Sequence, residues 1–557
     1  MNELSSLFAD ARDDSVILLQ KDKTYHVCRH DSYHLDGYFC TNTASQQENP
    51  TGERFTAIYL KEKKNITIDG NGATLLVHGK MTPILLDRCE NITVKNLTVD
   101  YACPTMAEFT VLDNTDGVVT LKINDDCRYQ IRGNQLIWCG ENDPTGKPEW
   151  EDPSNGNRRY TKIFDPVTQM TRHLHPDQIS FTHIEPLDAQ TVRCTLLYPN
   201  ADFPVGCVLQ SRNIVRDQVG SLFQRCKNLT FDNLRIQFMH GLGMVSQFCD
   251  TVTFKNCDLT PKTGRTIVST ADFFQFSGCK GLLTIENCKA AGAQDDFANI
   301  HGTHLQIVDL NRNQNTLTVR FKHYETWGLQ AFEAGDELEF IRWNTLIPYG
   351  STKVISYEKI NPTDILLRVT QIPEDIVLGK DVVENVTWTP ELIIRGCDFG
   401  HNAGRGILCT TRKPVLIENN RFDTLQGPAL VIEDDCNFWF ESGYTTKVVF
   451  RNNTVITCNY ETAEGNSHVV QYTPKVMDEQ SKQPVHGKLI LSGNRFLQSP
   501  NGNYHIRLEY LKEAEITDNL FEGDYTLHTK VCDHITDSNN TVIKNQTTNE
   551  TKNPRTF

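Results

Sequence analysis

Three aspartates are the residues of this chain best suited to chemistry. Asp272 lies in the segment ADFFQFSG, and Asp295 and Asp296 lie together in AQDDFANIHG. Hydrolysis of a glycosidic bond with inversion needs one protonated carboxyl beside the leaving oxygen and carboxylates that hold a water on the opposite side of the sugar. Repulsion within a cluster of acids raises the pKa of one member, which keeps its proton while its neighbours stay ionised. The aspartates therefore predict an acid/base site, provided that the fold brings them together.

A repeat of 23 residues indicates what that fold is. Asn233 and Asn256 are 23 residues apart, as are Gly396 and Asn419. Each ends a run of apolar or β-branched residues, and the runs recur as ITVKNLTV (92–99), LTFDNLRI (229–236), VTFKNCDL (252–259), LTIENCKA (283–290), LIIRGCDF (392–399) and VLIENNRF (415–422). A β-rich period of this length is typical of a solenoid, and the chain lacks the leucine ladder of leucine-rich repeats. We predict an all-β chain, a right-handed parallel β-helix with three short strands per coil.

The repeat predicts how the aspartates meet. Asp272 and Asp295 are 23 residues apart, so we expect them one coil apart, about 4.8 Å, the spacing of neighbouring strands. Adjacent residues on a regular strand point to opposite faces, so Asp295 and Asp296 both face outward only if the strand bends or bulges there. If the strand is regular, one of the two is not catalytic. In the structural alternative, the aspartates only cap bends between strands.

Interruptions in the repeat divide the chain into five parts. Residues 1–102 are an N-terminal cap and the first coils, 216–303 are the catalytic coils, and 390–557 are the C-terminal coils and a polar tail. Residues 103–215 and 304–389 lack the Asn step and alternate as hairpin-forming strands. We therefore predict two inserted antiparallel domains that resemble β-barrels.

Composition restricts the partners. The formal charge of −15 over 557 residues disfavours nucleic acid and anionic membranes, so we expect a neutral substrate. The chain has no run of eighteen apolar residues and no basic start with an apolar stretch, which favours a cytoplasmic protein. The alternative is a periplasmic or secreted protein whose leader has been removed. Several of the 18 cysteines recur at equivalent repeat positions, as buried stacked thiols would, and none has the spacing of a metal site.

Further residues are candidates for sugar binding. Histidine and arginine side chains hydrogen-bond hydroxyl groups, although each is also common in structural roles. The candidates are His240, His301, Arg265, Arg405 and Arg412. The segment IEDDCNFWFESG (432–443) concentrates Glu433, Asp434, Asp435, Trp439 and Glu441. Aromatic faces stack on sugars and acids bind their hydroxyls, so we interpret this segment as a pocket wall; the alternative is a calcium loop.

Together, these motifs resemble glycoside hydrolase family 110, the α-1,3-galactosidases. The resemblance rests on ADFFQFSGCKG, QDDFANIHG, HNAGRGILCTTRKPVLIENN and NFWFESG and spans most of the chain. It implies an inverting, metal-independent enzyme without cofactor, in which Asp295 is the general acid and Asp272 and Asp296 position the water. It also implies a galactose-terminated substrate, either linear Galα1-3Gal or a fucosylated blood group B structure, and makes a homodimer plausible. Family members are often exported, and this chain shows no export signal.

Three other functions are compatible with a β-helix. A polygalacturonase-like hydrolase also carries an Asp, an Asp-Asp pair and a His-Gly step, but it needs a cationic subsite, for which Arg412 and Lys413 are the only hint. A polysaccharide lyase would use a Lys, Arg or Tyr base, usually with calcium. A carbohydrate-binding protein without catalysis would have the aspartates as bend residues, and Asp295→Asn would leave its function intact.

Overall fold

The computed structural model describes residues 3–43, 48–153, 159–174, 179–461, 468–500 and 502–544. Three ladders of parallel strands, here named A, B and C, run along the chain and follow one another in each coil. The register repeats with the predicted period, since Phe231 pairs with Phe254 and Leu392 with Val415, each pair 23 residues apart. The chain is therefore a parallel β-helix.

Ladders A and B share the long strands at the C-terminal end. Ladder A comprises Ile58–Lys61, Ile84–Asp87, Val219–Gln224, Leu242–Gln247, Phe274–Ser277, Ala298–Thr303, Ile407–Cys409, Leu430–Ile432, His468–Tyr472, Asn503–Thr517 and Asp524–Ser538. Ladder B comprises Ser15–Leu18, Lys64–Asp69, Glu90–Lys95, Lys227–Asp232, Asp250–Lys255, Lys280–Glu286, Glu391–Arg395, Val415–Glu418, Lys447–Arg451 and His486–Ser492, and it continues into Asn503–Thr517. Ladder C comprises Thr24–Cys28, Thr74–His78, Thr98–Tyr101, Arg235–Ile236, Asp258–Leu259, Lys289–Ala290, Asp398–Phe399, Arg421–Leu425, Thr454–Cys458, Arg495–Leu497, Leu520–Glu522 and Thr541–Ile543.

Stacked residues of one type hold successive coils together. The rings of Phe231 and Phe254 stack inside the helix with centroids 4.7 Å apart. The Asn step of each repeat turns the chain from ladder B to ladder C at positive φ, which Asn and Gly tolerate best. All 18 cysteines are described, none forms a disulfide, and all but Cys28 and Cys532 are buried. The prediction of buried stacked thiols is confirmed.

Other short elements lie at the N-terminal end. The helix Glu3–Ala9 packs Leu4 and Phe8 against the core of the β-helix, as a cap does. The chain also has 3-10 helices at Arg29–Asp31 and Tyr324–Thr326 and a two-stranded antiparallel pair, Tyr33–Leu35 with Arg54–Thr56. Among the described residues, no helix has both the length and the apolar character needed to cross a membrane.

The first insertion leaves the β-helix after Tyr101 and returns at Val219. Its strands form a seven-stranded antiparallel sheet in the order Thr171–Leu174, Arg159–Phe164, Val208–Asn213, Ala107–Thr115, Val118–Ile123, Thr191–Leu196 and Phe181–Pro186. A separate three-stranded sheet contains Arg128–Arg132, Gln135–Cys139 and Glu151–Pro153. The antiparallel character agrees with the sequence, but the described strands form an open sheet, which corrects the prediction of a barrel here.

The second insertion is a closed six-stranded antiparallel barrel. Around the ring its strands are Leu305–Asn311, Thr316–Arg320, Asp364–Val369, Pro348–Lys359, Glu337–Ile341 and Val382–Asn385. It leaves the β-helix after a ladder A strand and returns at Glu391 in ladder B. The excursion 433–446 also joins ladder A to ladder B, two coils later, so it lies beside the barrel.

Candidate active site

A pocket lies where the bends from ladder C to ladder A face the barrel insertion and the excursion 433–446. Its volume is about 150 Å³. The lining residues are Asn42, Arg216, Asp272, Asp295, Asp296, Asn299, Arg405, Leu408, Glu433, Asp435, Trp439 and Glu441. The predicted aspartates therefore share one pocket, and Arg405, Glu433 and Trp439 join them as predicted.

The register between the aspartates differs from the prediction by one residue. Phe274 pairs with Ala298, so Asp272 is equivalent to Asp296 and not to Asp295. The Asp296 N–H donates to Asp272 Oδ1 at 3.3 Å. The chain bends at Asp295, before the ladder A strand begins at Ala298. This bend is the irregularity that allows both members of the pair to face the pocket.

The next coil holds this bend in place. Buried Asn402 donates from Nδ2 to the carbonyl oxygens of Asp295 and Arg405, at 2.5 and 2.9 Å. A Cβ atom on Gly404 would lie 2.3 Å from the Asp295 carbonyl oxygen, so only glycine permits this approach. The HNAGRG segment therefore supports the bend and delivers Arg405 to the pocket.

The first insertion supports the same region from the outside. Lys162 is buried, and its Nζ donates to Ala403 O at 2.5 Å and to Gln426 Oε1 at 2.8 Å. Arg212 donates from Nε to Gln294 Oε1 at 2.9 Å, directly before the aspartate pair. Burial lowers the pKa of Lys162 to about 7, and the nearby Asp295 carboxylate opposes this shift.

Two arginines balance part of the negative charge. Arg405 makes two hydrogen bonds to the Asp296 carboxylate, Nε to Oδ1 at 2.6 Å and Nη2 to Oδ2 at 2.9 Å. Arg216 donates from Nη2 to Asp295 Oδ2 at 3.2 Å. Burial raises the pKa of Asp272 well above its usual range, and the charges of Asp295 and Asp296 add to the effect. Burial also raises the pKa of Asp296 to about 7, although Arg405 opposes the shift.

The three carboxyl groups differ in access to solvent. Side-chain exposure is 36% for Asp295 and 1% for Asp296, and Asp272 is also buried. One carboxylate oxygen of each residue lies within 4.8 Å of one from each of the others. Two hydrogen bonds of about 2.8 Å span up to about 5.5 Å, so one water bridges oxygens at this separation. The site thus combines two buried carboxyl groups of raised pKa, a place for one water and an accessible carboxyl group.

The opposite wall of the pocket is held by Glu441. Its Oε1 accepts hydrogen bonds from Asn42 Nδ2 at 3.0 Å and from Asn299 Nδ2 at 3.3 Å. The Asn299 Oδ1 atom is buried and has no hydrogen-bond partner among the residues described. Glu433 accepts from Lys475 Nζ at 2.7 Å. The amide of Asn299 therefore offers the pocket an acceptor with a free lone pair.

The structure corrects several of the predicted sugar contacts. His240 is buried between Asp217 and Thr105, with both distances 2.6 Å. Arg265 pairs with the buried Glu108 of the first insertion. Neither residue lines the pocket, because their polar atoms join the insertion to the coils.

Three more predicted contacts also lie outside the pocket. Arg412 pairs with Glu384 and with Glu339, the latter at 2.7 Å, and it anchors the barrel. Asp434 is buried 3.4 Å from His486. His301 Nε2 lies 2.7 Å from the Gln275 amide nitrogen and 3.6 Å from Glu441, behind the pocket wall. Arg412 thus pairs with the barrel, whereas Asp434 and His301 pair with side chains of the β-helix strands, and no local pattern reveals these partners.

Sequence reasoning missed Arg216, Asn42, Asn299 and Leu408. Arg216 lies where the first insertion returns to the β-helix, and its Nη1 also donates to the Asn42 carbonyl at 3.2 Å. Asn42 comes from a loop near the N-terminus, far from the other residues in sequence. Asn299 lies on a ladder A strand directly after the aspartate pair, and this closeness in sequence is the local signal that could have identified it.

The chain is similar to known proteins over most of its length. Residues 316–383 match the family model described as GLAA-B beta-barrel domain II. Over 514 residues, covering 90% of this chain and 80% of the relative, the chain is 34% identical to alpha-1,3-galactosidase A of Akkermansia muciniphila. It is 34% identical to alpha-1,3-galactosidase A of Bacteroides fragilis, covering 82% of this chain and 74% of the relative. It is 29% identical to alpha-1,3-galactosidase B of Bacteroides thetaiotaomicron, covering 87% of this chain and 82% of the relative.

Proposed function

This chain belongs to glycoside hydrolase family 110, the α-1,3-galactosidases, and from that premise we propose that it releases terminal α-1,3-linked galactose with inversion at C1. The observation that carries the proposal is the cluster of Asp272, Asp295 and Asp296 in one small pocket. A pocket of about 150 Å³ closed by the barrel and the excursion 433–446 suits the end of a glycan. The enzyme is accordingly an exo-acting hydrolase.

The three carboxyl groups take the roles that the family resemblance implies, and access to solvent is the observation that supports Asp295 as the acid. Asp295 is the most accessible of the three and gives its proton to the glycosidic oxygen as the bond to C1 breaks. Buried Asp272 and Asp296 hold the water between them, and the ionised member accepts its proton as the water attacks C1. Arg405 fixes the Asp296 carboxylate, and Arg216 orients Asp295. Because the three groups share their charge, the protons belong to the cluster as a whole.

The charge of the pocket favours a neutral sugar. Its wall contains six carboxyl groups and two cations, Arg216 and Arg405. Both cations already pair with catalytic aspartates. A galacturonate would bring a further negative charge without a free partner, which costs binding energy in a partly buried site. This argues against the polygalacturonase-like alternative.

Proton NMR of the anomeric signals during hydrolysis of Galα1-3Gal tests the proposal. Early appearance of β-galactose with wild type, but not with Asp295→Asn, is the expected result. The acid and base of inverting enzymes usually lie about 6.5–9.5 Å apart and those of retaining enzymes about 5–5.5 Å apart. The carboxylate oxygens here lie within 4.8 Å of one another, nearer the retaining value, so the configuration of the first product is the decisive observation. Early appearance of α-galactose would indicate retention at C1, and therefore a double-displacement mechanism in place of inversion.

Further substrates separate the remaining functions. The fucosylated B trisaccharide tests whether a branch is needed when galactobiose is not cleaved. Trigalacturonate is the control for the polygalacturonase-like alternative, and turnover of that substrate alone would overturn the proposal. Unchanged function in Asp295→Asn would favour a binding protein.

A further inference from the structure

Three exposed aromatic rings surround a buried histidine ring at the mouth of the pocket. Trp439 lines the pocket, and its ring centroid lies 4.3 Å from that of His323. Phe438 packs edge-on against Trp439 at 5.4 Å. Tyr324 stacks on His323 at 4.8 Å. We call these four residues the aromatic platform; two come from the excursion 433–446 and two from the barrel insertion.

The platform is exposed although its rings are large. The exposed fraction is 67% for Phe438, 51% for Tyr324 and 37% for Trp439, whereas His323 is buried beneath them. Single exposed aromatic residues are common, but a contiguous patch that adjoins a pocket marks a binding surface. These rings add little to the core, so their exposure is better explained by a ligand than by folding.

The backbone under the rings is fixed before any ligand arrives. The Asp435 carboxylate accepts hydrogen bonds from the N–H groups of Asn437, Phe438, Trp439 and Phe440, at 2.7, 2.8, 3.1 and 3.3 Å. His304 lies 2.9 Å from the Asp435 carbonyl oxygen and ties the turn to the start of the barrel. A rigid, exposed ring loses little conformational entropy on binding, which raises affinity.

We propose that the aromatic platform binds the neutral sugars that follow the terminal galactose, and that it selects oligosaccharides over galactosides with small aglycones. The inference rests on the proposed function, because it extends the same site outward. Trp439 spans the pocket and the platform, so a glycan whose galactose fills the pocket continues across Phe438 and Tyr324. The apolar faces of pyranose rings stack on aromatic rings, and no charge is needed for this contact.

The test compares two substrates at the same galactose site. The trisaccharide Galα1-3Galβ1-4GlcNAc reaches the platform, and α-galactosyl fluoride does not. The measured quantity is the ratio of kcat/KM for the trisaccharide to that for the fluoride. We expect Phe438→Ala and Tyr324→Ala each to lower this ratio about two- to tenfold, the usual effect of one ring contact. Phe438→Tyr and Tyr324→Phe keep the rings and should keep the ratio.

The matched control is Tyr198→Ala, which removes a tyrosine of 49% exposure from the first insertion. Its ratio should equal that of wild type. A ratio unchanged in both platform variants, or lowered equally in Tyr198→Ala, overturns the proposal.

A binding measurement separates this inference from the proposed reaction. Calorimetric titration of Asp295→Asn with the trisaccharide and with methyl α-galactoside needs no turnover. Adding Phe438→Ala to the Asp295→Asn protein should weaken the binding of the trisaccharide and leave the affinity for methyl α-galactoside unchanged. Equal affinities with and without Phe438 would overturn the platform even if galactose is released. If wild type cleaves no galactoside but Phe438→Ala still weakens trisaccharide binding, the proposed reaction is rejected and the platform is retained.

Discussion

Replacing Arg405 by Met should shift the pH dependence of catalysis. Arg405 holds the Asp296 carboxylate through two hydrogen bonds of 2.6 and 2.9 Å, and Asp296 is 1% exposed. Burial already raises the pKa of Asp296 to about 7 against the opposing charge of Arg405. Methionine retains much of the length of the side chain but removes that charge. The pKa of Asp296 must then rise further.

The size of the shift follows from the geometry. Two unit charges about 4 Å apart interact by about 4 kcal/mol at an effective dielectric constant of 20. The Arg405 side chain is 34% exposed, so solvent screening reduces this to about 2 kcal/mol. Since one pKa unit is worth 1.36 kcal/mol, the Asp296 pKa should rise by about 1.5 units. A base that holds its proton more tightly loses activity first at low pH.

The assay is kcat/KM for α-galactosyl fluoride across the pH range, for wild type, Arg405→Met and Arg405→Lys. We expect the acid limb of Arg405→Met to move upward by about 1 to 2 units. Arg405→Lys keeps the charge but loses the forked contact, so it should lower the maximal rate while its acid limb stays near that of wild type. This prediction takes Asp296, the carboxylate paired with Arg405, as the ionised member that accepts the proton of the water. An Arg405→Met profile that differs from wild type only in height would refute that choice.

Three further variants test the support of the site. Asp272→Asn should raise Tm at pH 8. The pKa of Asp272 rises on folding, so this carboxyl group destabilises the folded protein as pH rises, and the variant lacks that loss. The gain in Tm should vanish near pH 4, and kcat should fall at least a hundredfold. Gly404→Ala puts a Cβ atom 2.3 Å from the Asp295 carbonyl oxygen and should lower kcat about a hundredfold by displacing the acid. Lys162→Met should lose about 1–3 kcal/mol because Ala403 O loses its donor. The pKa of folded Lys162 is lowered to about 7, so its contribution to stability rises with pH above about 7, where it is neutral in the folded chain and still protonated in the unfolded chain. The stability of wild type relative to Lys162→Met should therefore increase with pH over that range.

Each of these expectations has its own control. Asp296→Asn also removes a buried charge but takes away the carboxylate that Arg405 contacts with two hydrogen bonds, so a gain in Tm equal to that of Asp272→Asn would contradict the role given to the ion pair. Gly350→Ala creates a comparable clash, 2.8 Å from Pro373 Cγ in the barrel, and should lower Tm without affecting kcat. Lys162→Arg retains a hydrogen-bond donor. If this variant loses as much Tm as Lys162→Met, the loss is caused by altered packing and not by the missing donor.

Periodicity explains why the fold was predictable. The spacing of the Asn step and of the apolar runs gives the number of residues per coil directly, because each repeat forms one coil that contacts only its neighbours. The register of Leu392 with Val415 follows from that period. The catalytic bends have extra residues, however, so Asp296 rather than Asp295 aligns with Asp272. A uniform period therefore locates the site but misses its register by one residue.

Residue type alone did not separate binding side chains from structural ones. Arg405 and Arg412 lie in the same coil and have the same chemistry, yet Arg405 meets Asp296 in the pocket and Arg412 meets Glu384 of the barrel. The difference depends on where the insertions fold back. These contacts join residues far apart in sequence, and the 23-residue repeat contains no information about them.

The β-helix coils and the elements that cover them make different contributions, which explains why an acid cluster and an enclosed pocket occur together. Stacked coils hold Asp272 and Asp296 at short range, because strand spacing fixes equivalent residues close together. A bare β-helix offers only a shallow face, on which such charges would be hydrated and the pKa of each aspartate close to normal. The barrel and the excursion 433–446 cover that face, and the burial that they supply raises the pKa values of both buried aspartates. The insertions therefore contribute to the chemistry through desolvation as well as through the residues of the pocket wall.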